Sequence, residues 1–311
     1  MSKNTILITG GFGFLGRAIA RKFKQLGFRV IGIGRGHWPP EEALSRGFDV
    51  WLNAGVTLSS LMTLKEKFSL VVHCAGNGSV GYSVTNPLQD FYKTVQSTAD
   101  LLEYMRLTAS ESLLIYPSSA GVYGAKDDAP IKEVDALNPI SPYGFHKRVA
   151  EELLASYSRS YGTKVAVVRF FSIYGPGLTK QLLWDASVKL RTSGSAPAQF
   201  WGTGEETRDW IYIEDAADLV AAVSRGDHSF TVLNGANGVR TTVRETLRQL
   251  CIGLNVKPEF EFNQNVREGD PRFYHADVSR SIALGWRPRF SLPSGIDGYV
   301  KWLLAHEGAS D

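Results

Sequence analysis

Residues Thr5-Ile-Leu-Ile-Thr9 form a short apolar run, and Gly10-Gly-Phe-Gly-Phe-Leu-Gly16 joins it directly to an amphipathic segment reaching Leu26. No other stretch limits the fold so tightly. Glycines at 10, 13 and 16 allow a tight turn and let the backbone approach a bound anion. A helix starting there points its free N–H groups at the same place. Strand, bare turn and helix, first in the chain, predict a dinucleotide pyrophosphate on the turn rather than a glycine-rich connection without a ligand.

The rhythm continues along the chain. Apolar runs at 29–33, 70–74, 112–115 and 164–170 alternate with amphipathic segments at 88–105 and 143–161. Strand then helix, repeated, predicts an α/β fold with a Rossmann-type doubly wound parallel sheet covered on both faces. After Tyr174-Gly-Pro-Gly177 the alternation decays into Gly- and Pro-punctuated pieces, with an apolar helix near Leu182 to Leu190. The expected division is a dinucleotide-binding domain over 1–175 and a smaller C-terminal α/β substrate domain over 176–311. Parts of 210–235 are expected to return to the large sheet.

Charge and cysteine content exclude several function classes. Lys and Arg number 34 against 31 Asp and Glu, and a net charge of +3 makes no field for nucleic acid or an anionic membrane. Cys74 and Cys251 stand in unrelated contexts, which provides neither a disulfide framework nor paired metal-ligand spacing; a reducing cytoplasm is the expected home. The N-terminal apolar run is too short for a signal sequence or a membrane span.

If NAD is bound, the strand Arg29 to Ile33 should end in a carboxylate for the ribose 2'-hydroxyl. Here Gly34-Arg35-Gly36 follows instead. A cationic Arg35 beside a small glycine suits a 2'-phosphate, which leans the expectation from NAD to NADP; a solvated loop arginine is the plain alternative.

Tyr143-Gly-Phe-His-Lys147 places a phenol and an ammonium at i and i+4 on one helical face, with Val149, Leu153, Leu154 and Tyr157 continuing the period. A nearby cation is expected to lower the phenol from about 10 towards neutrality, where it can exchange protons with a substrate hydroxyl. Ser119, in Tyr116-Pro-Ser-Ser-Ala-Gly-Val-Tyr-Gly124, is expected to bond the same oxygen. Alone, such a Tyr/Lys pair is ordinarily a helix-surface pair, and its weight comes from its companions.

Those companions are TGGFGFLG, VVHCAG (71–76), SSAGVYG, SPYGFHK, RFFSIYGPG (169–177), FWGTGEETRDWIYIEDAADL and VREGDPRFYHADVSRSIALGWRP, in this order over nearly the whole chain. So arranged, the sequence resembles an extended short-chain dehydrogenase/reductase of the nucleotide-sugar epimerase/dehydratase family. The resemblance implies that Ser119, Tyr143 and Lys147 are catalytic. It puts Gly10, Phe12, Gly13, Phe14, Leu15 and Gly16 on the pyrophosphate turn, with His73 to Gly76, Ala75 included, lining the cofactor. It assigns Arg208 and Arg267 to the nucleotide diphosphate and implies a homodimer through the helices at 88–105 and 143–161. Many relatives have Asn where this chain has Ser172, so the hexose stays unassigned. His146 and Trp184 are expected on the helix surface and in the core, and Asp209 and Asp215 to be structural.

In that family, loss of water from the sugar uses an acid and a base just after the catalytic hydroxyl residue, and decarboxylation of a uronic acid also generally uses a carboxylate at the second position. Ala120 and Gly121 offer neither. The leading expectation is therefore a nucleotide-sugar 4-epimerase, with Tyr143 exchanging the C4 hydroxyl proton while a nicotinamide takes and returns the hydride. The alternative is an NADPH-dependent reductase of a 4-keto-6-deoxy nucleotide sugar. A third reading, a non-catalytic NADP-binding regulatory protein, sits poorly with intact Ser119, Tyr143 and Lys147.

Overall fold

The computed structural model describes residues 4–193, 196–257, 259–265 and 271–306. At its centre lie seven strands: β1 (Thr5–Thr9), β2 (Arg29–Gly34), β3 (Val50–Asn53), β4 (Leu70–His73), β5 (Leu113–Ser119), β6 (Lys164–Phe170) and Phe230–Gly235. Their order across the sheet is 230–235, β6, β5, β4, β1, β2, β3, and every pairing is parallel. The sequence pattern does not announce β3, an edge strand of four residues without a fully buried side chain.

Side-chain alternation explains why both faces need cover. Ile6 and Ile8 of β1 join one apolar cluster and Leu7 the other; Leu113 and Ile115 of β5 split in the same way from Leu114 and Tyr116. Helix α1 (Phe14–Gln25) and helix Ile213–Val223 fill the first cluster, which runs on into the C-terminal part through Leu247, Leu250 and Tyr299. Helices Ser97–Thr108 and Pro142–Tyr161 close the second.

The chain runs from β1 to β2 and β3 on one side, then takes up β4, β5 and β6 on the other. The crevice at the carboxyl ends of β1 and β4 is thus the switch point where such sheets receive ligands. Beside it, the expected helix over 88–105 is in fact three pieces, Pro87–Phe91, a π-helical turn Tyr92–Gln96, and Ser97–Thr108. The wider turn presents the Thr94 hydroxyl to the backbone N–H of Asn77, 3.5 Å away, in the loop after β4.

Beyond Tyr174 the chain makes small two-stranded pairings, 172–174 with 210–212 and 198–200 with 260–262 among them, and helices Gln181–Thr192, Val243–Leu254 and Leu292–His306. Among the described residues no helix is long and apolar enough to cross a membrane.

Candidate active site

The glycine turn is built against the end of β4. Gly10 has φ +65°, and a Cβ there would lie 2.5 Å from the Ala75 nitrogen, so both conformation and space demand glycine. A Cβ at Gly16 would stand 2.6 Å from the Gly10 carbonyl oxygen, and Gly13 N–H donates to that same carbonyl at 2.9 Å. The Thr9 hydroxyl accepts from Ala75 N–H at 3.2 Å, which locks the loop carrying Ala75 and Gly76 to the turn. Phe12 and Gly13 are exposed, Phe14 and Leu15 half-buried. The bare, outward turn at a helix N-terminus fits a pyrophosphate.

At the end of β2 an aromatic wall replaces the usual acid. Trp51 packs so closely that a Cβ on Gly34 would meet its ring at 2.9 Å, and Phe12 stacks on Trp38 with centroids 4.4 Å apart. The Arg35 guanidinium lies by Gly55, 3.5 Å from where a side chain there would begin.

Ser119, at the end of β5, and Tyr143 and Lys147, on the first turns of helix Pro142–Tyr161, come together beside Gly76. Ser141 caps that helix, accepting from Gly144 N–H at 3.2 Å, and Pro142 occupies its first turn. A Cβ on Gly121 would lie 3.4 Å from both Ser119 Oγ and the Tyr143 ring, and one on Gly76 would lie 3.8 Å from Lys147 Nζ. Ala120 differs from its neighbour. Its side chain is buried with Val122 and Tyr274, and its carbonyl accepts from the Tyr274 hydroxyl at 2.9 Å. Of the two positions after Ser119, only 121 borders the site.

The electrostatics depart from the expectation. Burial raises the Tyr143 phenol above its ordinary value, the Ser119 hydroxyl opposes this, and Asp90 adds to it. Lys147 instead donates to the Pro117 carbonyl at 3.0 Å and sits 4.7 Å over the Tyr116 ring. Burial lowers its ammonium to about 8, against the pull of Cys74, Glu151 and Asp90. The i+4 spacing places both side chains on one face, but the carbonyl at the end of β5 decides where the ammonium is held.

Behind these groups lie partners that motif reading passes over. Asp90, with no side-chain exposure, meets His146 Nδ1 at 2.5 Å, so His146 is not the surface histidine expected. Glu151 and Arg169 form a buried ion pair, with Nη2 to Oε2 at 2.7 Å, and Glu151 also accepts from Ser118. His73 lies between the hydroxyls of Thr9 (2.6 Å) and Thr98 (3.1 Å), and burial depresses it to about 3, so it is a neutral packing group. Burial pushes the Cys74 thiol up to about 12. Asp90 stands in Leu88-Gln-Asp-Phe91, a mixed polar and apolar run that does not single it out.

The remaining candidates lie beyond β6 in the chain. Ser172 opens the short strand Ser172–Tyr174 at the far end of β6, where its N–H donates to the Asp209 carbonyl. Arg208, half-buried, donates to the carbonyls of Thr207 and Pro271; Arg267 lies outside the described residues. Trp184 is half-buried. Asp209 accepts from the N–H groups of Asn237, Gly238 and Ala276 and Asp215 from those of Arg289 and Phe290, structural ties in both cases. Among the described residues no group of three or more His, Cys, Asp or Glu is placed to hold a metal ion.

Residues 6–233 match the sequence model of the NAD dependent epimerase/dehydratase family. Among similar proteins, UDP-glucuronate 4-epimerase 4 of Arabidopsis thaliana is 27% identical over 97% of this chain and 76% of its own. UDP-glucose 4-epimerase of Thermotoga maritima, solved with UDP-glucose, superposes with a TM-score of 0.86 at 27% identity, over 97% of this chain and 99% of the other. MoeE5, solved with UDP-glucose and NAD, superposes with a TM-score of 0.85 at 25% identity, over 99% and 100%.

Proposed function

Because the chain belongs to the NAD-dependent epimerase/dehydratase family, we propose that it is an NAD(P)-dependent enzyme that inverts C4 of a nucleotide-linked sugar. The observation that carries this is the meeting of Ser119, Tyr143 and Lys147 beside the glycine turn and Gly76, with no carboxylate at position 121. Relatives named as UDP-sugar 4-epimerases support it and suggest a uridine diphosphate carrier. The hexose stays unassigned.

The turn Gly10 to Gly16 would hold the pyrophosphate, and Ala75 and Gly76 would line the nicotinamide end near Lys147. The bound dinucleotide supplies the hydride acceptor and donor for transient oxidation at C4, without net redox change. Tyr143 takes the C4 hydroxyl proton and returns it. Ser119 bonds the same sugar oxygen and holds the phenol in place. Lys147, anchored on Pro117, sets a positive charge in a buried site where it counts for more than in water. Gly121 leaves space against the Tyr143 ring, so a keto sugar has room to present its other face.

Elimination of water needs a base at C5 and an acid at the C6 hydroxyl, and the space at 121 contains neither. UDP-hexoses incubated with the enzyme should change configuration at C4, followed by NMR, without consuming cofactor and without forming a 4-keto-6-deoxy product. Appearance of that product would overturn the reading. Stoichiometric NADPH oxidation by a 4-keto-6-deoxy substrate would replace it with the reductase.

At the adenosine end, the missing acid and Arg35 support the 2'-phosphorylated cofactor, although MoeE5 was solved with NAD. Arg35→Asp should raise the Kd for NADP relative to NAD about tenfold or more, measured by calorimetry, because a carboxylate repels the phosphate. An unchanged ratio would make Arg35 a bystander.

A further inference from the structure

A carboxylate with no exposure lies behind the candidate acid–base residue, on an element the reaction described above does not use. Asp90, near the end of helix Pro87–Phe91, has side-chain exposure of 0%; its Oδ2 is bound by His146 Nδ1, and its Oδ1 has no hydrogen-bond partner. His146 is three residues after Tyr143 and adjacent to Lys147 on helix Pro142–Tyr161, with the Phe91 ring edge-on at 5.7 Å. Burying a carboxylate is costly; Lys147 attracts it from a distance, and among the described residues His146 is the side chain in contact with it. We propose that Asp90 and His146 are a buried positioning pair for Tyr143, in which a protonated imidazole neutralises the carboxylate and so permits the phenol to ionise.

The charges around the pair fix the expected signs. Asp90 acts on Tyr143, Lys147 and Tyr116 from helix Pro87–Phe91, in each case disfavouring loss of the proton. Glu151 acts on Lys147 and Tyr116 in the same sense, and Lys147 faces His73 and Cys74. Lys93, on the turn after Asp90, is spent on the Tyr82 hydroxyl at 2.9 Å. Around Tyr143, burial opposes the phenolate most and Asp90 is the charged group that adds to it, so the imidazole in contact with Asp90 can cancel that addition. A bare carboxylate behind the phenol would keep Tyr143 protonated, and an imidazolium restores balance. The tie to Tyr143 is also mechanical, since Asp90 and His146 clamp helix Pro87–Phe91 onto the turn that carries it.

This inference rests on Tyr143 as the acid–base group, and its test needs no substrate. The protein is labelled with tyrosine carrying ¹³C at Cζ, the Tyr143 resonance is assigned by its loss in Tyr143→Phe, and its midpoint is followed with pH in Asp90→Asn, His146→Gln and the double variant. Asp90→Asn should lower the midpoint by about one pH unit and His146→Gln should raise it, with the double variant returning near wild type. A merely structural pair would give losses of stability without opposite shifts. Midpoints that coincide, or that move in the same direction for both single variants, would overturn the proposal and leave the epimerase reading to its own assay. If Asp90→Asn fails to fold, His146→Gln decides: an unmoved or lowered midpoint overturns the proposal.

Discussion

Tyr143→Phe is expected to lower kcat by about 10²–10⁴-fold while the protein folds and binds its dinucleotide as before. The substitution deletes one oxygen. Of the Tyr143 contacts, the structural one is made by the main chain, whose N–H donates to the Ser83 hydroxyl at 3.0 Å, and phenylalanine keeps it. The phenol oxygen meets Ser119, and the ring borders the space at Gly121. In the proposed reaction that oxygen exchanges the proton in the transition state, so the loss should appear in kcat and in kcat/KM alike, with KM little changed. Steady-state rates of C4 inversion alongside calorimetric titration of the cofactor separate the cases. Activity within a few-fold of wild type would remove Tyr143 from the reaction, and equal loss of cofactor binding would make its role architectural.

Arg169→Met is expected to cost about 3–5 kcal/mol of stability, because it leaves Glu151 charged and buried without its guanidinium partner. Arg169 is 5% exposed and Glu151 6%. The guanidinium gives Nε to both carboxylate oxygens at 3.2 Å and Nη2 to Oε2 at 2.7 Å, and its Nη1 reaches the Tyr123 hydroxyl and the Glu133 carbonyl. All of these would go at once. The pair also braces the site, for Glu151 lies one helical turn beyond Lys147 and accepts from Ser118, the neighbour of Ser119. Urea unfolding should show a lower midpoint at an unchanged slope. Adding Glu151→Leu should return much of the loss, since no unpaired charge then remains. A loss below about 1 kcal/mol in the single variant would mean that the interior tolerates a lone carboxylate there.

The glycine turn, the order of strands and helices, and the placing of Tyr143 and Lys147 on one helical face were legible in the chain because each depends on neighbours within a few residues. Period-2 and period-3.6 patterns are local, and Gly10 needs glycine for its own φ as well as for what it touches. The return of Phe230–Gly235 to the sheet was half visible, as an apolar run without a partner in sequence. By contrast, β3 is too short and too exposed for its pattern to register.

What only the tertiary structure decided concerns distances between residues far apart in the chain. The sequence by itself determined that a phenol and an ammonium share a helical face; the Pro117 carbonyl, thirty residues before Lys147, determined where the ammonium is held. Ala120 and Gly121 read alike as residues without acid or base, yet packing turned one into the cluster around Tyr274 and left the other beside Tyr143. Asp90 and His146 are 56 positions apart, and nothing in either motif announces the other. The physical reason is common to all three. Backbone propensity and hydrophobic period act along the chain, whereas burial and charge act through space, and it is burial and charge that set which proton a site can move.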